Sequence, residues 1–359
     1  MTTRPPHNGR SPEKGSSQAD THTLSSDAEQ PIEAVLVTGA AGFIGAAVSA
    51  RLLKAGVAVI GVDNVNDYYS PTLKRARLAP LLANDAFQFH EVNIADRERL
   101  FPLFDNVKVD GIVHLAAQAG VRYSLSAPFA YSDSNLTGHL TVLELARRLG
   151  NIKTVYASSS SVYGANTKTP FSETDPVEKP VSLYAATKRS CELMSESYAR
   201  LYDLPLIGLR FFTVYGPAGR PDMAYWLFAE RMLAGEEIRV FNHGDLERDF
   251  TYIDDIVSGV VSTIMRPMNI QGDARHRIYN IGNNRPVRLM RFIEILEEAL
   301  GVKAKMEMLP MQPGDVFRTA ADITAISEDY GFAPTTPLEV GIPHFAEWFH
   351  DYRRNQSAK

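Results

Sequence analysis

A glycine-rich turn between two short apolar runs most narrows what this chain can fold into. The run A-V-L-V-T at 34–38 enters G-A-A-G-F-I-G at 39–45. A helical pattern then continues to Gly56, and a second apolar run over 57–62 ends at Asp63. Strand, glycine turn, helix, strand and acid is the arrangement that binds dinucleotides. The glycines let the backbone approach a pyrophosphate, and the helix N-terminus stabilises its negative charge.

The acid after the second apolar run bears on which dinucleotide is bound. Asp63 follows Gly45 at roughly the 20-residue spacing of this arrangement, and Asn64 comes next where an arginine would favour a 2′-phosphate. A carboxylate accepts a hydrogen bond from the ribose 2′-hydroxyl and repels a 2′-phosphate. The sequence therefore favours NAD over NADP.

Apolar runs and helical patterns go on alternating along the chain. Further apolar runs lie at 87–92, 111–115, 153–157 and 206–211. Amphipathic helical patterns, such as 135–149, separate them, which predicts an α/β fold with a doubly wound parallel sheet of the Rossmann type over 32–212. From Thr213 onward Gly, Pro and Arg are frequent. Residues 213–359 are therefore expected to form a smaller substrate-binding lobe, interleaved with the sheet.

Composition excludes several classes of function. The chain has 359 residues, a formal net charge of −5 and no basic run, so no nucleic-acid partner is expected. Residues 1–31 are rich in Ser, Thr, Pro and charge, which predicts a disordered tail, and no segment has the length of a membrane span. The single cysteine, Cys191, favours a reducing cytoplasm. We expect Cys191 and His114 to be core residues.

A second motif lies in the middle of the chain, where Tyr184 and Lys188 are four residues apart and so share one helix face. The charge of the lysine can lower the pKa of the phenol and make it a proton acceptor. A serine from the S-S-S-S segment at 158–161, expected at a strand end, can share the same substrate proton. Alone, the pair favours the interpretation of a surface tyrosine over a lysine stem. The upstream glycine turn favours catalysis.

Longer segments give a family resemblance. The spacing G-x-x-G-x-x-G at 39–45 is similar to that of the extended short-chain dehydrogenases/reductases. With S-S-S-S-V-Y-G at 158–164 and R-D-F-T-Y-I-D-D at 248–255, the chain resembles the nucleotide-sugar epimerases and dehydratases. D-N-V-N-D-Y-Y-S-P-T-L-K-R-A-R-L from Asp63 and Y-G-P-A-G-R-P-D-M-A from Tyr215 resemble the UDP-glucuronate 4-epimerases in particular. The resemblance runs from Val35 to about Tyr352.

The resemblance implies a transient oxidation at C4 of a UDP-sugar with NAD retained. It assigns Tyr184 as the base, Ser159 as its partner, and Lys188 to the tyrosine and the nicotinamide ribose. The implied NAD contacts are Gly39, Gly42, Phe43, Ile44, Gly45, Asp63, Asn64, Asn93, Ile94, Leu115, Ala116, Ala117, Gln118, Tyr184 and Lys188. Asn93 departs from the aspartate usual in the family, although its amide oxygen can still accept from the adenine amino group.

Substrate contacts follow from the same resemblance. Related dehydratases carry Asp-Glu where this chain has Ser160 and Ser161, and decarboxylases usually carry a glutamate at the second position. Two serines instead suit a C5 carboxylate, to which their hydroxyls would donate hydrogen bonds. The alternative is that both serines only form hydrogen bonds within the protein at the end of the strand. The resemblance also places Thr213 with these serines, Arg248 at the diphosphate with Arg220 in the same pocket, and Arg122 within reach of either anionic group. It places Asp315 at the uridine ribose, and Val240 and Phe241 near the uracil. For the three arginines, surface ion pairs are the alternative.

We therefore expect a UDP-glucuronate 4-epimerase activity. The rivals are a UDP-glucuronate decarboxylase, an epimerase of a neutral UDP-hexose, and a non-catalytic NAD-sensing scaffold. Intact Ser159, Tyr184 and Lys188 disfavour the scaffold. Family analogy also predicts a homodimer formed through helices around 128–149 and 183–202.

Overall fold

The computed structural model describes residues 31–270, 275–311 and 316–357, so the predicted tail lies outside the described residues except for Pro31. The strands are β1 (Ala34–Thr38), β2 (Ala58–Asp63), β3 (Phe87–Glu91), β4 (Gly111–His114), β5 (Lys153–Ser159), β6 (Leu206–Phe211), β7 (Thr213–Tyr215), β8 (Glu237–Val240), β9 (Glu247–Tyr252), β10 (His276–Ile281), β11 (Pro286–Arg288) and β12 (Lys305–Met308). The helices are α1 (Phe43–Lys54), α2 (Pro71–Leu82), α3 (Arg97–Leu100), α4 (Tyr123–Ser126), α5 (Pro128–Tyr131), α6 (Gly138–Arg148), α7 (Leu183–Tyr202), α8 (Ala224–Leu233), α9 (Ile253–Met265), α10 (Leu289–Leu300), α11 (Thr324–Tyr330) and α12 (Leu338–Ser357).

The central sheet of the described chain has seven strands in the order β10-β6-β5-β4-β1-β2-β3, and every neighbouring pair is parallel. The chain builds outward from β1 to β3, then returns to place β4 on the other side of β1. Loops leaving β1 and β4 therefore diverge and open a crevice between them, which is where ligands bind in such sheets. This confirms the predicted doubly wound α/β fold.

Both faces of the sheet are buried, as its parallel strands require. Along β1, Val35 and Val37 face one core, which also contains α1, α9 and α12, while Leu36 faces a second core with α6 and α7. All three side chains are fully buried. The continuous apolar run A-V-L-V-T is explained by this two-sided burial.

The C-terminal part of the chain contributes to the same sheet and also forms two smaller ones. Strand β10 extends the central sheet beside β6. The other sheets are β11-β9-β7 and β12-β8. The predicted boundary at Thr213 falls at the start of β7, and the division into two lobes stays a prediction. Among the described helices, none is long and apolar enough to cross a membrane.

Two local differences from the sequence analysis matter for the site. Strand β5 runs two residues past the predicted end at Ala157, so Ser158 and Ser159 belong to the strand. The helix expected to begin at Asn135 instead continues a wider π-helical segment, Ser132–Thr137, before α6 begins. In that segment the Asn135 side chain is buried and hydrogen-bonded to the Gln118 backbone, an interaction that periodicity cannot reveal.

Candidate active site

A cavity of about 1140 Å³ opens at the carboxyl ends of the central strands. We call the part formed by residues after β1 to β4 the cofactor half, and the part formed by residues after β5 to β9 the substrate half. The lining includes all the predicted cofactor contacts: Gly39, Gly42, Phe43, Ile44, Gly45, Asp63, Asn64, Asn93, Ile94, Leu115, Ala116, Ala117, Gln118, Tyr184 and Lys188. It also includes Ser159, Ser160, Ser161, Arg122, Thr213, Arg220, Phe241 and Arg248.

The glycine turn after β1 is closed so tightly that side chains are excluded from it. A Cβ at Gly45 would lie 2.0 Å from the Gly39 carbonyl oxygen. A Cβ at Gly39, whose φ is +76°, would lie 2.7 Å from the Ala116 backbone nitrogen. Gly42 also lines the cavity, where its bare backbone leaves room for a close ligand. This cradle fits a pyrophosphate at the N-terminus of α1.

Asp63 ends β2 and is attached to the same turn. Its carboxylate accepts hydrogen bonds from the backbone N–H groups of Ala41, at 3.1 Å, and Val65, at 2.8 Å. Burial raises the pKa of Asp63, while those two donors and the charge of Lys74 act in the opposite direction. The acid is thus held beside the glycine cradle, as a ribose-binding acid must be. Together these residues fit NAD.

Two asparagine side chains fix the segments expected to contact the adenine and the nicotinamide in the cofactor half. The Asn93 side-chain oxygen accepts from the Ala95 backbone N–H at 3.0 Å, which fixes its orientation. Asn135 accepts from the Gln118 backbone N–H at 2.8 Å and donates to the Thr187 hydroxyl at 3.0 Å. The segment after β4 is therefore tied to α7, a link through Asn135 that the sequence analysis missed.

The three predicted catalytic residues come from β5 and α7. Ser182 caps the N-terminus of α7 by accepting from the Ala185 backbone N–H at 3.1 Å. Tyr184 follows in the first turn, and Lys188 lies one turn later, where its ammonium donates to the Ala157 carbonyl at 2.9 Å. Ser159 ends β5, and its hydroxyl donates to that of Ser161 at 3.0 Å. Strand end and helix start thus bring all three to one cavity wall.

A buried ion pair lies behind this wall. Glu192, one turn after Lys188 on α7, receives two hydrogen bonds from the Arg210 guanidinium of β6, at 2.8 and 3.0 Å, and one from the Ser158 hydroxyl at 2.6 Å. Burial would raise the pKa of Glu192, but these hydrogen bonds and the Arg210 charge outweigh it and lower the pKa. The pair fixes α7 against β5 and β6, so it sets the positions of Ser159, Tyr184 and Lys188.

The substrate half contains a second charged cluster. Arg220 donates to both carboxylate oxygens of Asp222, at 3.0 and 2.5 Å, and Tyr68 donates to Asp222 at 3.1 Å. Burial would raise the pKa of Asp222, but the Arg220 charge outweighs it and lowers the pKa. Tyr184 is near enough to interact electrostatically with Arg220. Arg220 therefore forms an ion pair, the alternative given in the sequence analysis, and also lines the cavity. The sequence analysis did not predict that Tyr68 and Asp222 belong to the site.

The other predicted substrate contacts are distributed unevenly. Arg248 on β9 lines the cavity and donates to the Phe317 carbonyl at 3.1 Å. The guanidinium of Arg122 lies 5.5 Å from the centre of the Phe241 ring. Val240 is fully buried in the core and is absent from the cavity lining, so its contact with uracil stays a prediction. Asp315 lies outside the described residues.

His114 and Cys191 are buried, as expected for core residues. The His114 ring nitrogen Nδ1 is 2.7 Å from the Thr38 hydroxyl, and burial lowers its pKa well below the ordinary value. The Cys191 thiol donates to the Asn135 carbonyl at 3.1 Å, and burial raises its pKa to about 11. Neither group is charged or exposed in the way that a catalytic histidine or thiolate requires.

A glycine cradle, an acid after β2, a serine at the end of β5 and a Tyr-x-x-x-Lys pair on α7 define an enzyme of the short-chain dehydrogenase/reductase type. Residues 35–282 match the NAD dependent epimerase/dehydratase family, and the chain therefore belongs to that family.

Three relatives indicate the chemistry found in similar proteins. UDP-glucuronate 4-epimerase 4 of Arabidopsis thaliana is 47% identical over 330 residues, which are 89% of this chain and 75% of that protein. The crystal structure of UDP-glucuronic acid 4-epimerase from Bacillus cereus with UDP-glucuronic acid and NAD has a TM-score of 0.81 and 34% identity, covering 89% of this chain and 99% of that one. UDP-glucose 4-epimerase from Thermotoga maritima with UDP-glucose has a TM-score of 0.79 and 32% identity, covering 89% and 99%.

Proposed function

We propose that the protein interconverts UDP-glucuronate and UDP-galacturonate by inverting C4 through a transient 4-keto sugar, with NAD retained between turnovers. The observation that carries this proposal is the cavity wall at the end of β5. There Ser159, Ser160 and Ser161 line the same cavity as Tyr184 and Lys188. The named epimerases to which the chain is similar support the same assignment.

Each residue of the cavity wall at the end of β5 has a separate role in the proposed reaction. Tyr184 takes the proton of the C4 hydroxyl, and the Ser159 hydroxyl shares a hydrogen bond with that oxygen. Lys188 holds a positive charge beside the phenolate and helps to bind the nicotinamide ribose. The glycine cradle and Asp63 would hold NAD, which when bound would supply the acceptor for the C4 hydride; after the 4-keto sugar turns over in the cavity, its opposite face would receive the hydride back. Tyr184 then gives the proton back, so no net oxidation occurs.

The substrate carboxylate is bound by neutral donors and one cation. Ser160, Ser161 and Thr213 can each donate a hydroxyl hydrogen bond to it. Arg220, which the resemblance grouped with Arg248, interacts electrostatically with Tyr184 and so adds positive charge at the sugar end. An acid at either serine position would repel the carboxylate, or would serve as the acid-base group of an elimination. Arg248 is assigned to the diphosphate, because a guanidinium binds phosphate oxygens through two donors at once.

A neutral UDP-hexose is the second candidate substrate, because the chain is also similar to the Thermotoga maritima UDP-glucose 4-epimerase. The substrate half distinguishes the two. A neutral hydroxymethyl group would give the three hydroxyls no charged acceptor, and it would add no anion to the Arg220–Asp222 pair. We therefore place UDP-glucuronate first.

Proton NMR of purified protein incubated separately with UDP-glucuronate and UDP-glucose, without added cofactor, tests the proposal. We expect UDP-galacturonate to accumulate to a steady ratio, and the UDP-glucose sample to change far more slowly. A UDP-pentose with released carbon dioxide would assign a decarboxylase instead. Conversion of UDP-glucose alone would assign a neutral-sugar epimerase, and no conversion after adding NAD would favour the scaffold.

The proposal includes a homodimer in a reducing cytoplasm. Apolar side chains stand exposed on α5, α6 and α7, among them Phe129 at 81%, Leu140 at 41% and Leu193 at 55%. A second copy of the chain would cover this face with the same helices, as a two-fold interface requires. Light scattering should give twice the mass of the chain, and Leu193→Glu should give a monomer. A monomeric wild-type protein would contradict the dimer.

The lone thiol of Cys191 is in keeping with a reducing compartment.

A further inference from the structure

The segment from Asp63 to Leu78 resembles one family closely, yet no step of the proposed reaction uses its residues on α2. Arg77 in this segment is 7% exposed and projects from α2 into the interior. Its Nε donates to the Ala218 carbonyl at 2.8 Å and its Nη2 to the Gly219 carbonyl at 2.6 Å. Its Nη1 donates to the Ala41 carbonyl at 3.2 Å and the Tyr69 hydroxyl at 2.6 Å. One guanidinium thus binds four neutral oxygens.

Three of these oxygens come from two segments that contribute to the cavity, and the fourth is the hydroxyl of Tyr69, near Arg77 in the sequence. Ala41 is in the glycine turn of the cofactor half. Ala218 and Gly219 begin the loop that carries Arg220 and Asp222 in the substrate half. The two sites are far apart in sequence, and Arg77 joins them directly.

The loop needs such support because its backbone is unfavourable on its own. Ala218 has a φ of +56°, in the left-handed region that is unfavourable for a residue with a Cβ. A lysine could not replace the arginine, because only a planar guanidinium directs several donors at once along fixed lines. The same segment adds a second tie, since Tyr68 donates to Asp222 at 3.1 Å.

We propose that Arg77 is a positioning residue, which fixes the loop carrying Arg220 against the glycine turn and so builds the sugar-acid site on the cofactor site. This inference rests on the proposed function, because it assigns Arg220 to the end of the cavity where the sugar acid binds. It explains why the family resemblance that begins at Asp63 continues through α2. It also predicts that loss of Arg77 affects the sugar end of the substrate more than the uridine diphosphate end.

Isothermal titration of the purified protein tests this split. UDP and UDP-glucuronate are titrated separately into Arg77→Gln and Arg77→Lys, each in a Tyr184→Phe background that prevents turnover. Arg75→Gln is the matched control, because Arg75 lies on the same helix with its side chain 61% exposed and paired with Glu91 at the surface. NAD content and melting temperature are recorded for every variant.

We expect both Arg77 variants to bind UDP-glucuronate about tenfold or more weakly, since a charged contact is misplaced, and to bind UDP within about twofold of the control. Equal UDP-glucuronate affinity in the Arg77→Gln and Arg75→Gln proteins would overturn the inference. So would an equal loss of UDP and UDP-glucuronate, or failure of both Arg77 variants to fold, because either would assign Arg77 to stability alone. If the protein with native Arg77 binds UDP but not UDP-glucuronate, the proposed function fails first and the inference fails with it.

Discussion

The two halves of the cavity are built in different ways. The cofactor half is shaped mainly by backbone, where Gly39 and Gly45 leave no room for a side chain and Asp63 is fixed by backbone donors. The substrate half is shaped by charged side chains from separate segments, such as Arg220 and Arg248. Arg248 donates to the distant Phe317 carbonyl, and Asp222, the partner of Arg220, accepts from the distant Tyr68. The first kind of site follows from local sequence, while the second depends on tertiary pairing. Substitutions should therefore fail differently in the two halves.

The largest effect is expected at the wall where the halves meet. Tyr184→Phe keeps the ring, which packs edge-on to Tyr131 at 6.1 Å, but removes the proton acceptor. Turnover of UDP-glucuronate should fall about 1,000-fold, the scale of a lost general base. NAD content and UDP-glucuronate affinity should stay near wild type. Tyr202→Phe, at the far end of α7, is the control. Binding that falls in step with turnover would make Tyr184 structural instead.

The next largest effect tests the backbone character of the cofactor half. Gly45→Ala would place a Cβ 2.0 Å from the Gly39 carbonyl oxygen, so the turn must open. We expect NAD affinity to fall about 10- to 100-fold, the range of an overpacked site. Nucleotide released from the purified protein by acid measures it. Gly301→Ala is the control. Gly301, at the end of α10, has a φ of +69° that is unfavourable for alanine, but a Cβ there would meet no other atom within 4 Å. Comparable NAD loss in both variants would indicate general destabilisation.

A smaller effect is expected from a charge in the substrate half. Arg248→Gln should weaken UDP binding about tenfold, because the diphosphate loses a charged donor. NAD content should not change, which would separate the two halves. Arg288→Gln is the control, because Arg288 is on the adjacent strand β11 with its side chain 82% exposed. Titration calorimetry with UDP compares them, and identical affinities would remove Arg248 from the diphosphate site.

The smallest effect tests the tie between the halves. Tyr68→Phe removes the hydroxyl that donates to Asp222 and leaves the aromatic packing with Tyr123. We expect kcat/KM for UDP-glucuronate to fall about threefold to tenfold, the scale of a typical hydrogen bond, because the Tyr68 hydroxyl acts on the substrate only through Asp222 and Arg220. UDP affinity serves as the internal control and should not change. An unchanged kcat/KM would show that Arg220 alone positions Asp222.

The same contrast explains what the sequence could predict. The run at 34–38, the glycine turn and Asp63 are consecutive, so periodicity and spacing were enough to predict the parallel sheet and the cofactor half. Nothing local indicates that Tyr68 pairs with Asp222, or that Arg77 meets Ala218. Those contacts join residues more than 140 positions apart. The inward position of Asn135 was missed for a related reason, because a π-helical segment breaks the ordinary helical period.

The burial of Val240 shows the opposite limit. Resemblance placed Val240 and Phe241 together beside the uracil, yet alternation along β8 turns Val240 into the core while Phe241, just beyond the strand, lines the cavity. Because Val240 is the last residue of β8 and Phe241 follows the strand, the resemblance alone does not show which of the two side chains faces the cavity. The contact predicted for Phe241 stays the better supported of the two.

The central claim is that C4 is inverted and that the hydrogen removed from C4 returns to C4. Isotope labelling tests this claim most directly. UDP-glucuronate carrying deuterium at C4 is incubated with the purified protein in ordinary water, and the UDP-galacturonate formed is examined by NMR and mass spectrometry. The account predicts that deuterium is retained at C4 of the product with no exchange at C5. Loss of the C4 label to solvent, or exchange of hydrogen at C5, would contradict it.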